Sequence, residues 1–220
     1  MMENPLSDIE TRIIGALLEK EKTTPEYYPL TLNALTRACN QKSNRNPVVD
    51  FDEETVAGAL DGLTFHRNLV KRYISDDSRV PKYRHAVGEA FGLSDAELAA
   101  LCILMLRGPQ TLGEIRGRTE RLHTFESLEE VESTLQGLAD RDEPMVTKLP
   151  RRPGTKEARY AHLMAGDVQV EEVELAEPAV LQVRADNQRL DELEAAGDGA
   201  VPTEQIVRAL LTPVFEKWCE

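Results

Sequence analysis

Three helix signals followed by a β-hairpin signal, written twice, predict a mainly α chain with small β-hairpins (α+β), built as two tandem winged-helix domains. The repeats occupy residues 1–89 and 90–166, and an acidic tail follows at 167–220. Two further observations support the duplication. Ser7-Asp8-Ile9-Glu10 and Ser94-Asp95-Ala96-Glu97 open the repeats with one helix-start word, and the repeats share words later on.

In the first repeat, Ser7 caps the free amides of a first turn and Glu10 reaches back to it, a capping box. Ile9, Ile13, Ile14, Leu17 and Leu18 then share a helical face. Thr23-Thr24-Pro25 stops that helix. A second begins at Thr31, with Leu32, Leu35 and Cys39 inward, and the polar run from Asn40 to Pro47 ends it. Asp52 caps a third, spanning 52–67, whose stripe is Val56, Leu60 and Leu63. Residues 69–74 read as a strand, 76–78 as a turn and 80–87 as the return strand.

The second repeat follows the same plan. Leu98, Leu101, Cys102 and Met105 continue the stripe that Ser94 opens, and Gly108-Pro109 breaks it. Thr111 with Glu114 caps a short second helix. Ser127 opens a third, with Leu128, Val131, Leu135 and Leu138 at helical spacing. Residues 145–149 and 158–163 form the hairpin, around a basic turn at 150–155. Ala59-Leu60-Asp61-Gly62-Leu63 echoes Thr134-Leu135-Gln136-Gly137-Leu138, and Tyr83-Arg84-His85 echoes Tyr160-Ala161-His162.

Net charge is -13, which disfavours indiscriminate attraction to DNA or anionic lipid. The charge is uneven: residues 167–220 hold 4 Lys/Arg against 13 Asp/Glu, so the body is nearly balanced. The tail reads as a solvated linker, or as a short self-associating helix over 177–194 that would give a homodimer. Trp218 can anchor a last helix. Cys39, Cys102 and Cys219 are far apart, and the first two read as buried thiols in a reducing compartment. The start of the chain lacks a signal-peptide pattern, and the longest apolar run, 98–106, is about half a membrane span. A cytoplasmic chain without a membrane partner is expected.

The run from Ala16-Leu17-Leu18-Glu19-Lys20 through Pro25-Glu26-Tyr27-Tyr28-Pro29-Leu30-Thr31 to Cys39-Asn40-Gln41-Lys42-Ser43-Asn44-Arg45-Asn46-Pro47 closely resembles the YceH family of uncharacterised bacterial proteins. Leu106-Arg107-Gly108-Pro109-Gln110-Thr111 and Arg159-Tyr160-Ala161-His162-Leu163 fit the same family. The resemblance covers about residues 7–165 and implies a tandem winged-helix fold, with no established activity, cofactor or catalytic residue. Members of the family often end in a charged, coiled-coil-like helix, a pattern from which Pro178 departs.

Neither a phosphate-binding Gly-Lys-Ser/Thr loop nor a His-Glu-x-x-His motif is present, and His66, His85, His123 and His162 are isolated. No enzymatic activity and no cofactor are expected. In winged helices the third helix commonly enters the DNA major groove. Here those helices carry Glu53, Glu54 and Asp61, and Glu129, Glu130 and Glu132, which phosphate would repel. The wings are basic instead. The expected contacts to double-stranded DNA are Lys42 and Arg45 in the polar loop; Lys71, Arg72, Arg79, Lys82 and Arg84 in the first wing; Arg116 and Arg118 after the short helix; and Lys148, Arg151, Arg152, Lys156 and Arg159 in the second wing. Such binding would be weak and salt-sensitive. Three alternatives stay open: a protein-interaction adaptor that uses the acidic helices, a tail that covers the wings in cis, and charged hairpins that serve only as soluble edges.

Overall fold

The computed structural model describes residues 5–75, 78–151 and 157–167. It is an α+β structure of seven α-helices and two small antiparallel sheets among the described residues. Helix α1 (Asp8–Thr23) starts at Ser7, where the capping box is complete. Strand β1 (Leu30–Thr31) leads into α2 (Leu32–Cys39), capped by the Thr31 hydroxyl. Helix α3 (Glu53–Asp61) is capped by Asp52 and widens into a π turn at Gly62–His66. Strands β2 (Val70–Ser75) and β3 (Ser78–His85) form the hairpin, and β1 adds to β3, giving the order β1-β3-β2. A short helix, α4 (Val87–Phe91), connects to the second half.

There α5 (Asp95–Arg107) and α6 (Leu112–Thr119) each begin with a complete capping box, at Ser94 and Thr111. Helix α7 (Leu128–Ala139) is capped by Ser127, while the Glu130 carboxylate accepts from the Glu126 amide instead of closing a box. Strands β4 (Val146–Lys148) and β5 (Tyr160–His162) complete the half. Leu128, expected on the apolar stripe, is exposed, because it is the first residue of α7 and its side chain precedes the packed turns.

The duplication extends to tertiary detail. Leu30 pairs with Tyr83 and is followed by the capping Thr31; Gln110 pairs with Tyr160 and is followed by the capping Thr111. In each half an arginine beyond the third helix holds the capping-box glutamate. Arg67 meets Glu10 at 3.0 Å, and Arg141 meets Glu97 at 3.1 Å. A capping carboxylate paired in this way locks both ends of a half: the helix start below and the exit of the third helix above.

The first helices of the two halves, α1 and α5, pack directly on each other. Gly15 makes this contact possible, since a Cβ there would lie 2.8 Å from Leu106 Cδ2. The Cys102 thiol donates to the Gly15 carbonyl at 3.4 Å across the same seam. Ile13, Ile14 and Leu17 from α1 and Leu101, Leu104 and Leu106 from α5 belong to one buried cluster with Leu35, Leu60, Ile115, Leu135 and Leu138. One core therefore serves both halves of the described chain. Burial at this scale is the main stabilising contribution.

Candidate functional site

The β2–β3 hairpin gathers most of the first wing's cations. Its register sets Lys71 opposite Arg84 and Tyr73 opposite Lys82, so these four side chains share one face of the sheet. Arg84 donates Nε to the Tyr73 hydroxyl at 2.6 Å and lies 5.4 Å from that ring's centre. Glu89 of α4 accepts from Arg84 at 2.9 Å and also from Lys71. Both cations hold the Glu89 carboxyl below the usual carboxylate range. Lys71, Arg72 and Lys82 are exposed, and neither Arg72 nor Lys82 has an ion pair among the described residues. The side chain of Arg79 lies outside the described residues, as do Arg152 and Lys156.

In the second half the candidates are more scattered. Lys148 is exposed, 3.4 Å from Glu132 and 5.4 Å from the centre of the Tyr160 ring. Arg151 is exposed and Arg159 half-buried. Arg118 pairs one turn back with Glu114 at 3.2 Å. Arg116 donates to the carbonyls of Phe125 and Glu126, at 3.4 and 2.9 Å, which fixes the loop entering α7.

The polar loop after α2 differs from the sequence expectation. Lys42 is exposed, but Arg45 is buried. Its guanidinium donates to both Glu19 oxygens, to the Ala38 and Asn44 carbonyls and to Gln41. With its donors so occupied and its side chain shielded, Arg45 is corrected from a phosphate contact to a structural clamp. Arg12, absent from the sequence expectations, works from the other side, donating to Cys39 O at 3.1 Å and Pro47 O at 2.6 Å. Asn40 imitates a backbone partner: its amide donates to Phe51 O at 2.7 Å and accepts from Phe51 N at 3.0 Å. The Asn46 backbone N–H donates to Leu106 O at 2.8 Å, docking the loop on the end of α5.

The acidic helices face water. Glu53, Glu54 and Asp61 of α3 are exposed, as are Glu129, Glu132 and Asp140 at α7. Hydrogen bonds accepted from Thr55 hold the Asp52 carboxyl below its usual range. A negative α3 thus sits in the chain directly before a positive hairpin.

Little else suggests chemistry. Cys39 is buried, and burial pushes its thiol up to about 12; Cys102 is pushed up for the same reason. Neither is a nucleophile at neutral pH. His85 is buried, 2.8 Å from Glu21, with its amide donating to the Tyr28 hydroxyl at 2.9 Å. His123 packs edge-on to Phe125. No group of three or more His, Cys, Asp or Glu side chains able to hold a metal occurs among the described residues. None of the described helices is long and apolar enough to cross a membrane. Cys219, Trp218, the tail and the first wing's turn at 76–77 lie outside the described residues.

These features define an α+β protein with a cationic β2–β3 hairpin and two helices, α3 and α7, with exposed acidic residues. The chain belongs to the family described as Protein of unknown function, DUF480, whose model matches residues 6–155, in keeping with the resemblance in its sequence words. A UPF0502 protein of Pelobacter propionicus is 58% identical over 168 residues, covering 76% of each chain. One from Geobacter sulfurreducens is 53% identical over 196 residues, covering 88% of this chain and 89% of its own. One from Solibacter usitatus is 55% identical over 194 residues, covering 88% and 91%.

Proposed function

We propose that the chain is a non-catalytic, DNA-associated protein of two winged-helix domains, 1–89 and 90–166, whose hairpins touch phosphate. The observation that carries this reading is the hairpin face of Lys71, Lys82 and Arg84, with Arg72 exposed on the same strand pair. The β1-β3-β2 sheet beside three helices supports the winged-helix assignment. The exposed carboxylates of α3 and α7 argue against insertion of either helix in a groove, so contact falls to the wings and carries little base readout. Chain-wide negative charge keeps such binding weak at physiological salt. The experiment is fluorescence anisotropy of the full chain with a random DNA duplex across a salt series. Binding that weakens steeply with salt is expected; no binding at low salt overturns the reading.

One observation favours a second reading, a protein-interaction adaptor. Ile74 and Val80, toward the turn end of the hairpin, are 60% and 53% exposed, and Phe65 beyond α3 is 64% exposed. Apolar side chains beside a charged face suit a protein surface better than a phosphate backbone. Absence of DNA binding, together with a stoichiometric partner lost on Ile74→Ser and Phe65→Ser substitution, would favour that reading.

A further inference from the structure

A cleft of about 460 Å³ opens between the later turns of α1, the loop after α2 and helices α5 and α6. Lys20, Arg107, Arg118 and Arg121 line it, against the carboxylates of Glu19 and Glu120. Glu19 is already engaged: its two oxygens bind Arg45 from inside the fold, and one lies 3.7 Å from Lys20. Arg121 is exposed and has no ion pair among the described residues. Arg107 holds Asn44 through Nη2, but its Nε is buried with no hydrogen-bond partner. Burial, and next the charge of Arg118, push the Arg107 guanidinium below its usual range, with Glu19 and Glu114 opposing, the latter paired with Arg118 at 3.2 Å. A guanidinium that is desolvated, incompletely bonded and repelled by a neighbouring cation is stabilised by an anion between the two.

We propose that this cleft binds a phosphorylated small molecule, its phosphoryl oxygens held by Arg107, Arg118 and Arg121 and its organic part against Ile103 and Leu122. Guanidinium forks match phosphoryl oxygens in geometry as well as charge. The volume falls in the range of small-ligand sites, and the recess is set among helices, away from the hairpin strands. Ser43 and Asn44 add polar groups at the rim, and Ile103 and Leu122 give it an apolar side. A ligand here would touch α1 and the loop of the first half together with α5 and α6 of the second.

The test is isothermal titration calorimetry of the full chain with pyrophosphate and with ADP at low salt. Binding of at least one probe is expected, weakened about tenfold or more in an Arg118→Gln/Arg121→Gln variant by loss of charge-assisted hydrogen bonds. Arg118 lies in the last turn of α6, paired with Glu114, and Arg121 follows the helix end, so the variant's unfolding midpoint serves as its folding control. A Lys71→Gln/Lys82→Gln variant should keep the wild-type affinity for the probe. No binding of either probe, or equal affinity in the Arg118→Gln/Arg121→Gln variant, overturns the proposal. DNA anisotropy on the same proteins separates this site from the hairpin. Loss of DNA binding in the hairpin variant, with probe binding intact, bears on the wing reading alone.

Discussion

Arg45 meets Glu19 fork to fork, Nη1 to Oε1 at 3.1 Å and Nη2 to Oε2 at 2.7 Å. The Arg45 side chain is fully buried, and its Nε and Nη2 also donate to the Ala38 carbonyl in the last turn of α2. The loop after α2 is thereby pinned to α1. Arg45→Met removes one partner of a shielded pair and leaves the Glu19 carboxylate without its main partner. The expected cost is about 3–5 kcal/mol. Urea denaturation measures it, and a loss under about 1 kcal/mol would show the clamp to be dispensable.

Gly15 and Gly58 are both helical glycines, yet they should respond in opposite directions to alanine. At Gly15 a Cβ would meet Leu106 Cδ2 at 2.8 Å, Leu106 Cγ at 2.9 Å and Met105 Cβ at 3.3 Å. The clash reaches Leu106 Cγ and Met105 Cβ as well as the Leu106 terminus, so overpacking outweighs the gain in helix propensity, for a net loss of about 1–3 kcal/mol. At Gly58 nothing lies within 4 Å, and Gly58→Ala should stabilise by about 0.5–1 kcal/mol. Thermal melts of the two variants, shifting in opposite directions, are the check.

The contrast between these glycines shows where the sequence is informative. Local rules marked the helix starts correctly: Ser7, Thr31, Asp52, Ser94, Thr111 and Ser127 all cap, because capping needs only a side chain and amides three residues away. Apolar spacing located most of the core for the same reason. The two-residue β1 gives no local signal, since it exists only through pairing with β3, and α4 gives none either, its first residue Val87 falling at the end of the expected return strand. Arg12 and Arg45 read as loop cations or went unnoticed. The partners that bury them, Cys39 and Pro47 for Arg12 and Ala38 and Glu19 for Arg45, are 7 to 35 residues away in sequence, so only the fold reveals them as interior. The cleft is set by packing in the same way: Lys20 of α1, Arg107 of α5, Arg118 of α6 and Arg121 just beyond it meet only in the fold, and the sequence marks Arg118 only as a DNA contact.

His162 should shape the acid limb of stability. Burial pushes its pKa from the ordinary 6.5 down to about 4, opposed by Asp8. Above pH 6.5 both folded and unfolded chains hold it neutral, and its contribution is fully present. As pH falls toward 4, the unfolded chain takes up a proton that the folded chain refuses, and about 3 kcal/mol is lost. His162 Nδ1 is buried without a hydrogen-bond partner, so His162→Leu should cost little at pH 7.5. Denaturation at pH 7.5 and 4.5 should then show a smaller loss in the variant than in the wild type. Parallel losses in the two proteins would remove the assignment.

The wing reading makes a quantitative demand on salt dependence. Each phosphate neutralised by a cation contributes about 0.9 to the slope of log affinity against log salt. Replacing Lys71 and Lys82 on one face, and Arg72 on the other, with Gln should reduce that slope by about 2 if only the Lys71 and Lys82 face meets phosphate and by about 3 if both faces do. These side chains are exposed, so the fold should survive the change. Glu89 supplies the opposite test. It neutralises Lys71 and Arg84 within the protein, and phosphate must compete with it for both. Glu89→Gln should raise DNA affinity at low salt and leave the unfolding midpoint nearly unchanged, because exposed pairs stabilise little. A slope that stays the same after the triple substitution, or an affinity that falls on removing Glu89, would take the phosphate contact away from this hairpin.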